Sequence, residues 1–139
     1  MQRRAWSAVA NKLAGMVMKP TMLFDGGCPL CRREVDHYRR LDSADAVDWV
    51  DITAEPRRLA PFAISPVAAM RHLHVIDRQG RLQVGAWAFA TIWDELPYYR
   101  WLGRLVRLPG ALPLLDRVYR RFADWRFRRR CADGSCRLP

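Results

Sequence analysis

Long hydrophobic runs are missing from this chain. No stretch of 18 uncharged apolar residues occurs, so the sequence holds no candidate membrane-spanning helix. Lysine is nearly absent too: Lys12 and Lys19 stand against 22 arginines, whose guanidinium groups stay ionised at any relevant pH. Cysteine is sparse, with four residues, and the amino-terminal segment reads poorly as an export signal. Its basic start is interrupted by Asn11 and Lys12 where an apolar core is needed, and no A-x-A-like cleavage site follows. Four cysteines without an export signal argue against a disulfide framework. They favour a reducing, cytoplasmic setting, where a close cysteine pair is usually catalytic or metal-binding. There is no internal repeat and no low-complexity linker.

What is present fits one domain. The chain has 139 residues, half of them apolar and 11% aromatic, enough to bury a core and too much for wholesale disorder. Residues 1–18 read as a weakly ordered extension in which Trp6, Val9, Leu13 and Met16 share a helical face. Residues 19–139 read as a single domain including C-terminal helices over 98–130 and a cysteine-containing tail. The charge is uneven: residues 98–139 hold eleven arginines against Asp116, Asp124 and Asp133, a net +8 of the chain's +10.

The chemistry concentrates in Thr21–Arg33. Met22, Leu23 and Phe24 read as a strand, and Asp25-Gly26-Gly27 as a turn whose glycines accept positive φ. Pro29 suits a first helical position, which places Cys28 at the N-cap and Cys31 one turn inside. Unpaired backbone N–H groups and the helix dipole favour a thiolate there. Cys28 is then the exposed attacking thiolate, and the more enclosed Cys31 resolves the mixed disulfide. Asp25 reads either as a proton-moving carboxylate or as a turn residue binding nearby N–H groups.

Further along, Cys31, Val35, Tyr38 and Leu41 recur at helical spacing. Strands are expected over Val47–Ile52, Arg71–Asp77 and Arg81–Val84, a short helix or loop over Pro56–Ala63, and a helix over Ala86–Leu96. Two further helices, about 99–107 and 112–129, follow. On the last, Leu112, Leu115, Tyr119, Phe122 and Trp125 form an apolar stripe expected to pack on the core, with Asp116–Arg120 and Asp124–Arg128 pairs outside it.

The stretch L-F-D-G-G-C-P-L-C-R-R-E-V resembles the signature of the DCC family, also called DUF393, of predicted thiol-disulfide oxidoreductases. Its aspartate and two cysteines match Asp25, Cys28 and Cys31. The blocks 70–81, 85–93 and 99–110 resemble the family's later motifs, so the resemblance spans roughly residues 20–136. It implies a thioredoxin-like α/β fold: a mixed four-stranded sheet flanked by helices, here with extra basic C-terminal helices. It also tips Asp25 towards a functional role. Thioredoxin-like enzymes generally hold a cis-proline just before the third strand. Here Ala68-Ala69-Met70 stand there, and Ser65-Pro66 lies several residues earlier.

The expected protein is thus a monomeric oxidoreductase needing no bound cofactor, exchanging disulfides with protein or low-molecular-weight thiols and served by an unidentified reducing partner. Two other classes compete. Cys131 and Cys136 could join Cys28 and Cys31 in a zinc site, although 99 residues separate the pairs and compact zinc modules use far less. The same two cysteines could instead be a second dithiol that relays electrons. The arginine-rich helices, with interleaved Trp and Tyr, could bind nucleic acid or an anionic membrane surface. His72 and His74 share a face of the third expected strand, but no acidic or thiol partner is local, so no metal is assigned to them.

Overall fold

The computed structural model describes residues 19–132. Strand β1 (Thr21–Phe24) leads through a turn into helix α1 (Pro29–Leu41). Strand β2 (Asp48–Asp51) is followed by a 3₁₀ helix (Pro56–Phe62) and a short helix α2 (Pro66–Arg71). Strands β3 (His74–Ile76) and β4 (Leu82–Val84) form a hairpin. Helices α3 (Ala86–Glu95), α4 (Arg100–Val106) and the 22-residue α5 (Ala111–Ala132) complete the described chain.

The sheet order is β2-β1-β3-β4, with β1 and β2 parallel and the other two pairings antiparallel. This is the expected thioredoxin-like α/β arrangement of a mixed four-stranded sheet flanked by helices. Alternation along β1 separates two cores. Met22 and Phe24 pack with Val35 and Tyr38 of α1, Val75 of β3 and Ala88 and Ile92 of α3. Leu23 points to the opposite face, with Val50, Leu59, Ala69 and Met70.

Two expectations about local structure change. The third strand is shorter than Arg71–Asp77 because α2 occupies its expected start. Ser65 caps that helix through its hydroxyl, which accepts from the Ala68 N–H at 3.1 Å, and Pro66 takes the first position. His72 is therefore the C-cap of α2 rather than a strand residue. The Gly26-Gly27 turn does not use positive φ either. Steric approach is the constraint: a Cβ on Gly26 would collide with the Asp51 carboxylate, and one on Gly27 with the Arg130 guanidinium.

The larger correction concerns α5. Its buried face carries Asp116, Ala123 and Arg130, with Tyr119, Arg126 and Phe127 partly buried beside them. Leu115, Phe122 and Trp125 of the expected core stripe are exposed. Tyr119 packs on one core and Phe127 on the other, so α5 passes from one face of the sheet to the other. Along the way it closes polar gaps. The Asp116 carboxylate accepts from the Ala86 N–H at the start of α3, and the Tyr119 hydroxyl accepts from the Leu73 N–H before β3. Satisfying these buried backbone donors selects a partly polar inner face. The Asp116–Arg120 pair forms at 2.6 Å, whereas Asp124 pairs with Arg71 at 2.8 Å instead of with Arg128.

Candidate active site

Helix α1 begins as its sequence dictates, with Cys28 in extended N-cap conformation and Pro29 at the first helical position. The Cys28 N–H donates to the Asp25 carbonyl at 3.1 Å, closing the turn, and the Cys28 carbonyl accepts from the Arg32 N–H to start the helix. The turn is tied to β2 as well, because the Gly26 N–H donates to the Asp51 carboxylate at 3.1 Å. These bonds seat Cys28 and Cys31 at the C-terminal edge of β1, where ligands commonly dock on open α/β sheets. The two residues approach to 3.1 Å.

The electrostatics of the pair are asymmetric. A hydrogen bond from the Cys31 thiol lowers the Cys28 pKa to about 6. Burial opposes this, while the Cys31 backbone N–H and the Arg126 charge reinforce it. Holding that proton, and partly buried besides, Cys31 is pushed well above the ordinary thiol range. The pair is thus biased towards a Cys28 thiolate and a protonated Cys31. Exposure departs from expectation, however: Cys28 is only 4% exposed and Cys31 is half-buried. The turn and the helix start enclose Cys28, whereas Cys31 lines a water-sized cavity of about 20 Å³.

That cavity is also lined by Asp25, Glu34, His72, Tyr119 and Arg126. Asp25 is 3% exposed and held by a fork of two hydrogen bonds from Arg130, 2.7 Å from Nε and 3.0 Å from a terminal nitrogen. It accepts from the Gly27 N–H at 3.0 Å as well, so the turn role and the charge role coincide. Arg126 directs a terminal N–H to the Cys31 sulfur at 3.0 Å and others to the Met70 and Arg71 carbonyls at 3.5 and 3.3 Å. Glu34 lies one turn after Cys31 and accepts from the Tyr38 hydroxyl at 3.0 Å. Burial raises its pKa above the usual carboxylate value.

Among the described residues no peptide bond is cis. Just before β3, the position of the cis-proline in thioredoxin-like enzymes, the backbone is bound internally by Arg126 and Tyr119. His74 is buried, its Nδ1 sharing a hydrogen bond with the His72 carbonyl at 2.8 Å, and the His72 ring lies 3.7 Å from Asp124. Among the described residues, no group of three His, Cys, Asp or Glu side chains is placed to hold a metal. Cys131 lies half-buried at the end of α5. Cys136, and with it both the second dithiol and the Cys₄ zinc site, falls outside the described residues.

Sequence reading brought Asp25, Cys28 and Cys31 to this site but missed Glu34, Arg126 and Arg130. For the two arginines the signal is Asp116, Tyr119, Ala123, Arg126 and Arg130 recurring at helical spacing, a polar stripe beside the apolar one; Glu34, on α1, has no such signal.

An uncharacterised chloroplastic protein of Arabidopsis thaliana is 28% identical over 110 residues, covering 78% of this chain. The chain spans about half, 51%, of that relative's length. No solved structure matches. Residues 22–132, from β1 to the end of α5, match the family model described as DCC1-like thiol-disulfide oxidoreductase. With the cysteine pair, the buried aspartate and the arginine helix all inside the matched span, the chain belongs to the DCC1-like thiol-disulfide oxidoreductase family.

Proposed function

We propose that this protein exchanges disulfides through Cys28 and Cys31, and that the observation carrying the reading is the asymmetric thiol pair at the start of α1. The Cys28 thiolate attacks one sulfur of a substrate disulfide. The substrate S–S bond breaks, a mixed disulfide forms, and one substrate thiolate leaves. Cys31 then loses its proton and attacks the Cys28 sulfur. The second substrate thiolate departs, and a Cys28–Cys31 disulfide holds the two-electron oxidation. A dithiol protein or two low-molecular-weight thiols must reduce that disulfide to close the cycle.

The surrounding charges have distinct jobs in this scheme. Arg126, 3.0 Å from the Cys31 sulfur, stabilises the resolving thiolate as it forms. Glu34 shares the water-sized cavity with Cys31 and takes its proton through a bridging water. Asp25, committed to Arg130, acts by position and charge: it anchors α5 over the turn and keeps the Cys28 thiolate from being over-stabilised. Reductase and oxidase use the same steps in opposite order, and the midpoint potential selects between them. The proposed setting is a reducing compartment such as the cytoplasm. No helix among the described residues is long and apolar enough to cross a membrane.

The test is a redox titration of the whole chain in glutathione buffers, acid-quenched, alkylated and peptide-mapped. A reversible Cys28–Cys31 disulfide with a midpoint between about −280 and −120 mV is expected. Cys28→Ser abolishes turnover with the fold retained, and Cys31→Ser accumulates mixed disulfides. A pair that stays reduced at every potential refutes the scheme. Stoichiometric metal blocking alkylation of Cys28 and Cys31 replaces it with the zinc reading.

A further inference from the structure

The exposed apolar face of α5 is the feature that the redox chemistry leaves unused. Leu114, Val118 and Trp125 are 63%, 60% and 46% exposed, and Leu115 and Phe122 are exposed beside them. At 100° per residue these five side chains fall within an arc of about 100°, the width by which a surface helix usually meets a core. Among the described residues, no core lies against it. Part of the stripe borders a mostly apolar groove of about 330 Å³, whose far wall is Ala86, Phe89 and Trp93 of α3 with Glu34 of α1.

Charge says what belongs there. Helix α5 carries seven arginines against two aspartates. The aspartates are committed elsewhere: Asp116 is buried against Ala86 and Arg120, and Asp124 holds Arg71. Exposed Arg117, Arg121 and Arg128 project on the strip of helix beside the apolar arc. Arg129 stacks on Trp125 with its guanidinium carbon 4.7 Å from a ring centroid. An apolar stripe bordered by arginine with Trp among its side chains is the make-up of a helix lying in a membrane interface.

We propose that the outer face of α5 docks the protein on an anionic lipid bilayer, with Leu114, Val118, Phe122 and Trp125 entering the interface and the flanking arginines meeting the headgroups. A second copy is disfavoured, because a symmetric pairing brings two arginine-rich faces together. Nucleic acid would use the arginines but gains little from Leu114, Leu115 and Val118, which offer no π-face for bases. A bilayer uses both sets at once.

The experiment is co-sedimentation of the reduced full chain with vesicles of phosphatidylcholine alone or with about 30 mol% phosphatidylserine. Binding to the anionic vesicles, a blue shift of tryptophan emission and release by about 0.5 M salt are expected. Leu114→Asp/Val118→Asp, at exposed sites and with an unchanged far-UV spectrum, should weaken binding at least about tenfold. It should leave Cys28–Cys31 exchange with a soluble disulfide unchanged, so failure here is separable from failure of the redox reading. Absence of binding to anionic vesicles, or full binding by the double variant, overturns the proposal. So does tighter binding to a single-stranded RNA than to vesicles, or a dimer in sedimentation velocity that the double variant abolishes.

Discussion

Arg130→Met is the substitution whose consequence can be worked furthest from the structure. Arg130 and Asp25 keep only 8% and 2% of their side chains exposed, and their closest contact is 2.7 Å. At an effective dielectric of about 20, opposite charges at that distance attract by roughly 6 kcal/mol. Desolvation costs several kcal/mol for each ion, so the intact pair contributes a modest net amount. Removing one partner is different, since it leaves the other buried without compensation. Arg130→Met should therefore cost about 3–5 kcal/mol. For a domain of this size that is a fall in Tm of roughly 10–20 °C. Urea unfolding of the reduced protein, followed by tryptophan fluorescence, measures it. Asp25→Asn alone should also destabilise, by stranding the guanidinium, while Asp25→Asn/Arg130→Met should recover at least about half of the summed loss. A cost below about 1 kcal/mol for Arg130→Met, or single changes that add within about 0.5 kcal/mol, refutes the buried pair.

Four other outcomes follow from the same geometry. The rate of Cys28 alkylation should rise with pH around a midpoint of about 6, and a midpoint above 8 would contradict the hydrogen bond from Cys31. Because the thiol pKa is lower in the folded than in the unfolded chain, the reduced protein should gain stability as pH rises from about 6 to about 9. Urea midpoints of Cys28→Ser should lack that gain. Glu34→Gln should slow release of a Cys28 mixed disulfide by about 10²-fold in single turnover while leaving its formation unchanged; wild-type release would exclude Glu34 as the proton acceptor. Gly27→Ala forces a methyl group into the Arg130 guanidinium and should cost about 1–3 kcal/mol, a loss that shrinks in the Arg130→Met background.

The cysteine site was legible because its cues are local. Proline at N1, cysteine at the N-cap and a short apolar run before two glycines each act within a few residues, and the structure keeps them all. The reason for the two glycines is not local, since their constraint comes from Asp51 and Arg130, distant in sequence, and not from positive φ. The strand hairpin was equally readable, but helix α2 was not. At six residues it is too short to show a period, and only its Ser65-Pro66 start marks it.

What the amino-acid sequence determined by itself was the order of the strands and of the longer helices, the placing of a thiol pair at a helix start, and the concentration of arginine near the C-terminus. Tertiary structure alone decided which face of α5 turns inward. Periodicity offers a helix two stripes, one apolar and one polar, and apolar burial ordinarily selects the first. Here the inner surface already presents a buried aspartate, unmet backbone donors of Leu73 and Ala86, and two carbonyls before β3. Leaving such groups unpaired away from water costs more than exposing a few leucines and a tryptophan. The polar stripe therefore goes in, bringing Arg126 to Cys31 and Arg130 to Asp25, and the apolar stripe is left outside.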